Sequence, residues 1–113
     1  MITQGDIWWA ELGEPVGSEA GYRRPVVVVQ SDRLNQTRIA TVLCVPLTGN
    51  LKWADAFGNV LLRSAATGLE RDSVANTSLT FAVNKGQFLE RVGRIERRLL
   101  ERVLAGIDVV LGR

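Results

Sequence analysis

Histidine is absent from the 113 residues, cysteine and methionine occur once each, proline three times, and aromatic residues make up only 6%. Without histidine, a Ser-His-Asp triad, paired-imidazole ribonuclease chemistry and a His-ligated metal are all excluded. The single Cys44 forms no internal disulfide and no zinc-binding cluster. Its place in the apolar run Thr41-Val42-Leu43-Cys44-Val45 marks it as a buried small hydrophobe in a reducing compartment. No apolar stretch approaches the roughly 20 residues needed to span a bilayer. The opening Met1-Ile2-Thr3-Gln4-Gly5-Asp6 carries neither a basic leader nor an apolar core. A soluble, cytoplasmic protein with no membrane contact, no cofactor and no bound metal is the expectation.

What is present is a hydrophobic share of 46% against 23% charged residues, the balance of a single globular domain over residues 1–113. At this length one core buries only about two-thirds of the chain's surface, so an oligomer is expected to help. The net charge is only +2, and apart from Lys52 and Lys85 every cation is arginine. Arginine forks onto phosphate and stacks on bases, which suits a nucleic-acid partner. Arginine-rich surfaces also occur without one, and composition leaves both readings open.

The order of elements reads as mainly β. Asp6 to Leu12 is an aromatic and apolar strand closed by Gly13, followed by a loop with Gly13, Pro15, Gly17 and Gly21. Pro25 to Gln30 is a β-branched run without polar alternation, expected to be a central strand buried on both faces. Ser31 to Arg38 carries turn residues, and Ala40 to Leu47 is a third strand ending in the loop Thr48-Gly49-Asn50. Asn59–Leu62 and Ser73–Val83 read as further strands around a polar stretch from Arg63 to Asp72. Asn84 is a candidate cap for a turn over Lys85–Leu89, and Arg91–Ile95 a last strand. From Glu96 to Leu111 apolar residues recur at helical spacing, with Arg97, Arg98, Glu101, Arg102 and Asp108 opposite. The apolar stripe of this helix either lies against the sheet or forms a dimer contact.

Two places could carry chemistry. Arg23 and Arg24 stand at the junction of the glycine-rich loop and the buried strand, and Pro25 restricts Arg24 to an extended backbone. Arg24 either addresses a ligand or pairs with Glu14 or Glu19 to pin the loop. Thr48, at a strand mouth beside Gly49, offers a hydroxyl near backbone N–H groups that suit an anion, although such a threonine is commonly a turn residue. Trp8 and Trp9 should face opposite sides of their strand, one in the core and one at an interface. Trp53 beside Lys52 either stacks on a base or folds back onto the sheet.

The ordered blocks Gly5-Asp6-Ile7-Trp8-Trp9, Gly17-Ser18-Glu19, Arg23-Arg24-Pro25-Val26-Val27-Val28-Val29-Gln30 and Pro46-Leu47-Thr48-Gly49-Asn50 resemble the MazF/PemK/Kid toxins of bacterial toxin–antitoxin systems. Arg71-Asp72-Ser73-Val74 with Asn76, then Asn84-Lys85 and Arg91-Val92-Gly93, extend the resemblance over essentially the whole chain. It implies a small SH3-like barrel with a C-terminal amphipathic helix, a symmetric homodimer, and a cognate antitoxin that occupies the RNA groove. The implied activity is sequence-specific, metal-independent cleavage of single-stranded RNA, mainly mRNA, leaving 2′,3′-cyclic phosphate and 5′-hydroxyl ends. The family's catalytic pair falls on Arg24 and Thr48, and its loop contacts to RNA on Ser18 and Glu19. Arg23, Asn50, Lys52 and Ser78 are further candidate RNA contacts. One departure stands out: where many relatives place glutamine on the strand facing the substrate, this chain has Leu79-Thr80-Phe81, whose apolar side chains are expected to pack in the core. The rival reading is a non-catalytic toxin of the same barrel that binds a protein such as DNA gyrase, as CcdB proteins do. It leaves a phosphate clamp of Arg24 and Thr48 without purpose.

Overall fold

The computed structural model describes residues 1–18 and 20–113. Its strands and helices follow in the order β1 (Asp6–Glu11), β2 (Arg23–Val28), α1 (Asp32–Asn35), β3 (Thr41–Thr48), β4 (Val60–Leu62), α2 (Ser64–Thr67), β5 (Ser73–Ala75), β6 (Phe81–Asn84), β7 (Phe88–Arg94) and α3 (Arg97–Leu111). Short 3-10 turns occupy Leu51–Asp55, Thr77–Leu79 and Lys85–Gln87. All strand pairings are antiparallel, and the strands run β4-β5-β3-β2-β1-β7 with β6 also on β3. The expected SH3-like barrel is thus a 7-stranded sheet whose ring stays open among the described residues, since β4 and β7 end the path.

The valine run explains the layering. Val27 and Val29 join Ile7, Val45 and Leu47 in one core, which α3 covers with Leu99, Leu100 and Val103. Val26 and Val28 join Ala10, Val42, Cys44 and Val83 in a second core on the other face, with Trp8, Phe81 and Phe88 packed against it. A strand whose successive side chains enter two cores needs no polar alternation. Cys44 is buried there, and burial pushes its thiol up to about 12, the signature of an inert packing residue. Among the described residues no helix is long and apolar enough to cross a membrane.

Pro46 lies inside β3, where a missing N–H would ordinarily break a ladder. Along one edge β3 pairs β2 over Cys44–Pro46, but along the other it pairs β6 over Thr41–Cys44 and β5 over Leu47–Thr48. Pro46 O accepts the Asn76 N–H at 3.0 Å, so the proline's bare nitrogen faces the edge where the partner changes. The N-terminus is locked by Asp6, which is fully buried. Its carboxylate is ion-paired with Arg91 Nε at 3.2 Å and accepts from Arg94 Nε at 3.1 Å, Thr3 N at 2.9 Å and Trp8 Nε1 at 3.3 Å.

The structure corrects several boundaries. Ser73–Val83 is not one strand: it breaks after Ala75 into the turn Thr77–Leu79 before β6. The Thr77 hydroxyl donates to Gly58 O at 2.8 Å, the Thr77 N–H to Asn59 Oδ1 at 3.1 Å, and the Thr80 hydroxyl to Thr77 O at 2.6 Å, bonds that compete with a ladder. The last strand begins at Phe88, not Arg91, because Phe88 pairs with Ala10 and packs on the second core. The polar stretches at 31–38 and 63–72 contain the short helices α1 and α2, and Asp72 Oδ1 accepts the Ser64 N–H at the start of α2 at 2.8 Å. Helix α3 buries Leu99, Leu100, Val103 and Gly106, while Val109, Val110 and Leu111 at its end remain exposed.

Candidate active site

The glycine-rich loop is closed at its neck by the Leu12 N–H on Tyr22 O (2.8 Å) and by the Tyr22 N–H on Gly13 O. Tyr22 adopts a left-handed φ of 58°, a conformation an aromatic residue takes only when its surroundings impose it. It immediately precedes the two arginines. Gly21 is required for contact, since a Cβ there would sit 2.5 Å from Pro15 Cδ.

Beyond this neck a groove of about 630 Å³ is lined by Trp9, Arg23, Arg24, Gly49, Arg71 and Glu90, among others. The Arg23 guanidinium lies 5.2 Å from the centre of the Trp9 ring, a cation–π stack that fixes both side chains. Asp72, also in the groove, is already engaged by Arg63 at 3.0 Å and by the Ser64 N–H. The Ser64 N–H, followed by the Arg63 side chain, holds its carboxyl below the usual carboxylate range. Among the described residues Arg24 forms no ion pair, and its buried Nε has no hydrogen-bond partner. A pairing with Glu14 is therefore not formed, and Glu19 lies outside the described residues.

Arg24 stands opposite Ala10 on β1, and the β2–β3 register pairs Val26 with Pro46. Continued two residues, that register sets Arg24 opposite Thr48, on the face that carries the second core. Thr48 Oγ1 accepts the Asn50 N–H at 3.2 Å, and the Asn50 side chain in turn accepts the Lys52 N–H at 3.3 Å. Thr48, Asn50 and Lys52 thus form one connected turn in which the Thr48 hydroxyl proton remains available to a ligand. Lys52 Nζ lies 5.2 Å from the centre of the exposed Trp53 ring, so this tryptophan is not folded back into the core.

Ser78 sits apart from the groove. It lines a second hollow of about 370 Å³ with Leu12, Glu14, Leu79, Thr80 and Phe81. Phe81 packs against the second core as expected, but Leu79 joins neither core and faces the hollow. Ser18 lies in the exposed Gly17–Ser18 turn and lines neither cavity. Trp8 is the tryptophan packed on the core, edge-on to Phe88 at 5.5 Å, and Trp9 is the one on the groove. Sequence reasoning missed Glu90 and assigned no role to Arg71. Glu90 reaches the groove through its pairing with Trp9 across β1 and β7, a partnership that no local pattern announces. Among the described residues no three His, Cys, Asp or Glu side chains gather as a metal site.

The model of a family described as PemK-like, MazF-like toxin of type II toxin–antitoxin system matches residues 3–111. The chain is 41% identical over 111 residues to endoribonuclease MazF6 of Mycobacterium tuberculosis, covering 98% of this chain and 97% of that protein. It is 30% identical over 112 residues to endoribonuclease MazF of Staphylococcus saprophyticus, covering 99% and 92%. Among solved structures, MazF from Deinococcus radiodurans shares the fold with a TM-score of 0.82 at 19% identity, over 99% of this chain and 97% of that one. A mycobacterial endoribonuclease in complex with its cognate antitoxin does so at 0.73 and 17% identity, over 98% and 93%.

Proposed function

The chain belongs to the PemK-like, MazF-like toxins of type II toxin–antitoxin systems and is an endoribonuclease toxin of that family, and from this premise we propose that it cuts single-stranded RNA, chiefly mRNA, at a phosphate held by Arg24 and Thr48. RNA carries its own nucleophile in the 2′-hydroxyl, so the reaction needs in-line positioning and stabilisation of the charge that builds on phosphorus. The 2′-oxygen bonds to phosphorus and loses its proton. The 5′-oxygen then departs and takes one up, leaving a 2′,3′-cyclic phosphate. Arg24 forks onto the nonbridging oxygens, and its guanidinium, which offers donors and no acceptor, acts by charge and hydrogen bonding rather than as a base. Thr48 donates its hydroxyl to the same phosphate. The observation that carries this reading is an arginine whose buried Nε has no partner among the described residues, on the strand next to a threonine whose oxygen is already fixed by Asn50.

Arg23, stacked on Trp9, and Lys52, beside Trp53, supply cations next to aromatic faces on which single-stranded bases stack. Ser18, Glu19, Asn50 and Ser78 complete the proposed RNA contacts. A cognate antitoxin covering this site in the cytoplasm, and a homodimer that buries the exposed Leu34, Ile39, Leu43 or Val109–Leu111, belong to the same proposal. The test is incubation of the purified protein with a long unstructured RNA in EDTA, followed by end mapping. Discrete cuts with 2′,3′-cyclic ends are expected from the wild type and none from a folded Arg24→Ala variant. Uncut RNA, or a fully active Arg24→Ala, refutes the reading.

A further inference from the structure

We infer that the second hollow is a base-selecting subsite that accepts a nucleobase bearing an exocyclic amino group and rejects uracil; this rests on the ribonuclease reading above. The hollow contains Leu79-Thr80-Phe81, the run that departs from the family pattern and that the phosphate chemistry leaves unused.

Its position suits a nucleotide next to the scissile bond. Phe81 stands opposite Cys44 on β3, and Cys44, Pro46 and Thr48 alternate onto one face of that strand. Four residues of strand separate Phe81's partner from Thr48, a distance of about 13 Å. A chain whose phosphate is held at Arg24 and Thr48 therefore reaches the hollow with a neighbouring base. The volume of about 370 Å³ lies at the small end of ligand sites, and Leu12, Leu79 and Phe81 offer apolar walls to the face of a ring.

The hydrogen-bonding capacity left in the hollow is almost all of one kind. The Thr80 hydroxyl spends its proton on Thr77 O at 2.6 Å, and the Ser78 hydroxyl spends its own on Asn76 Oδ1 at 3.2 Å. The Gln87 amide is held at both ends, its Oε1 accepting the Asn84 N–H at 2.8 Å and its Nε2 donating to Glu11 O at 3.0 Å. Glu14 accepts only. Apart from the second N–H of the Gln87 amide, what remains on the side chains for a ligand is a set of lone pairs on Glu14, Ser78 and Thr80. Cytosine, adenine and guanine each present an amino group to such acceptors. Uracil presents a single N–H flanked by two carbonyl oxygens, which would face the Glu14 carboxylate.

The experiment is cleavage of a randomised single-stranded RNA pool, with sequencing of the cut ends, by the wild type, Glu14→Gln and Glu101→Gln. At one position beside the cut, wild type should disfavour uracil by about tenfold or more, the scale of one good base contact. Glu14→Gln, whose amide can donate to a uracil carbonyl, should lower that discrimination about tenfold at that position alone. Glu101→Gln makes the same charge change on α3 and should leave the profile as in wild type. Glu14 is exposed on a loop, so its variant is expected to fold, and circular dichroism checks this. An unchanged profile in Glu14→Gln overturns the inference while leaving the ribonuclease reading intact, as does loss of cutting at every sequence. A wild type that cuts nothing overturns the ribonuclease reading, and the subsite with it.

Discussion

Replacing Gly106 by alanine tests how α3 is docked, and two terms of opposite sign decide the outcome. In a helix interior the change from glycine to alanine is favourable by about 1 kcal/mol. In this helix, however, the new Cβ would lie 2.1 Å from Gly58 O and 3.1 Å from Thr77 Cγ2. The clash with a backbone oxygen requires the helix to withdraw by roughly 1 Å, and overpacking of this kind costs about 1–3 kcal/mol. Gly58 O is also the acceptor for the buried Thr77 hydroxyl, so moving it weakens a bond worth about 1 kcal/mol. The repulsive terms win, with a net loss of about 2 kcal/mol, or roughly 8 °C in Tm for a domain of this size. Urea and thermal unfolding followed by circular dichroism measure the loss. Ala105→Gly, at the exposed neighbouring position, isolates the propensity term and should cost about 1 kcal/mol. A Gly106→Ala protein as stable as the wild type would refute the docking argument, because propensity would then act unopposed.

Asp6→Ala removes the acceptor for Thr3 N, Trp8 Nε1 and Arg94 and the ion-pair partner of Arg91 at a fully buried site. A loss of about 2–3 kcal/mol in urea unfolding is expected, and a change below about 1 kcal/mol would show that the lock is incidental. Asp72 has a folded-state pKa below its unfolded value, so its contribution is complete above about pH 4 and vanishes as pH falls through the folded value. The gap in urea midpoint between wild type and Asp72→Asn should accordingly be present at pH 7 and close below pH 4; a gap independent of pH would contradict the assignment.

The strands that were legible in advance are those whose burial is written locally. Val26–Val29 announces a strand with two apolar faces, and the stripe from Leu99 onward announces a helix. Arg24 and Thr48 were legible as site candidates because Pro25 and Gly49 mark the ends of strands, where side chains emerge. The break at Asn76–Leu79 was not, because it is enforced by Gly58 and Asn59, which lie far away along the chain. Glu90 in the groove escaped notice because it is placed by pairing across the sheet, and Leu79 was misplaced in the core because it belongs to the turn that this break creates. The open ring follows from which edges remain unpaired, a property of the assembled sheet with no signature in any one segment.

The alternation of Val26–Val29 between two cores ties their cooperativity together. Neither core can open locally without withdrawing side chains from the other, so the amides of β2 should exchange with solvent only through global unfolding. Arg24 lies on this same strand, two residues before Val26. The backbone that aims its guanidinium is thereby held by the full stability of the domain.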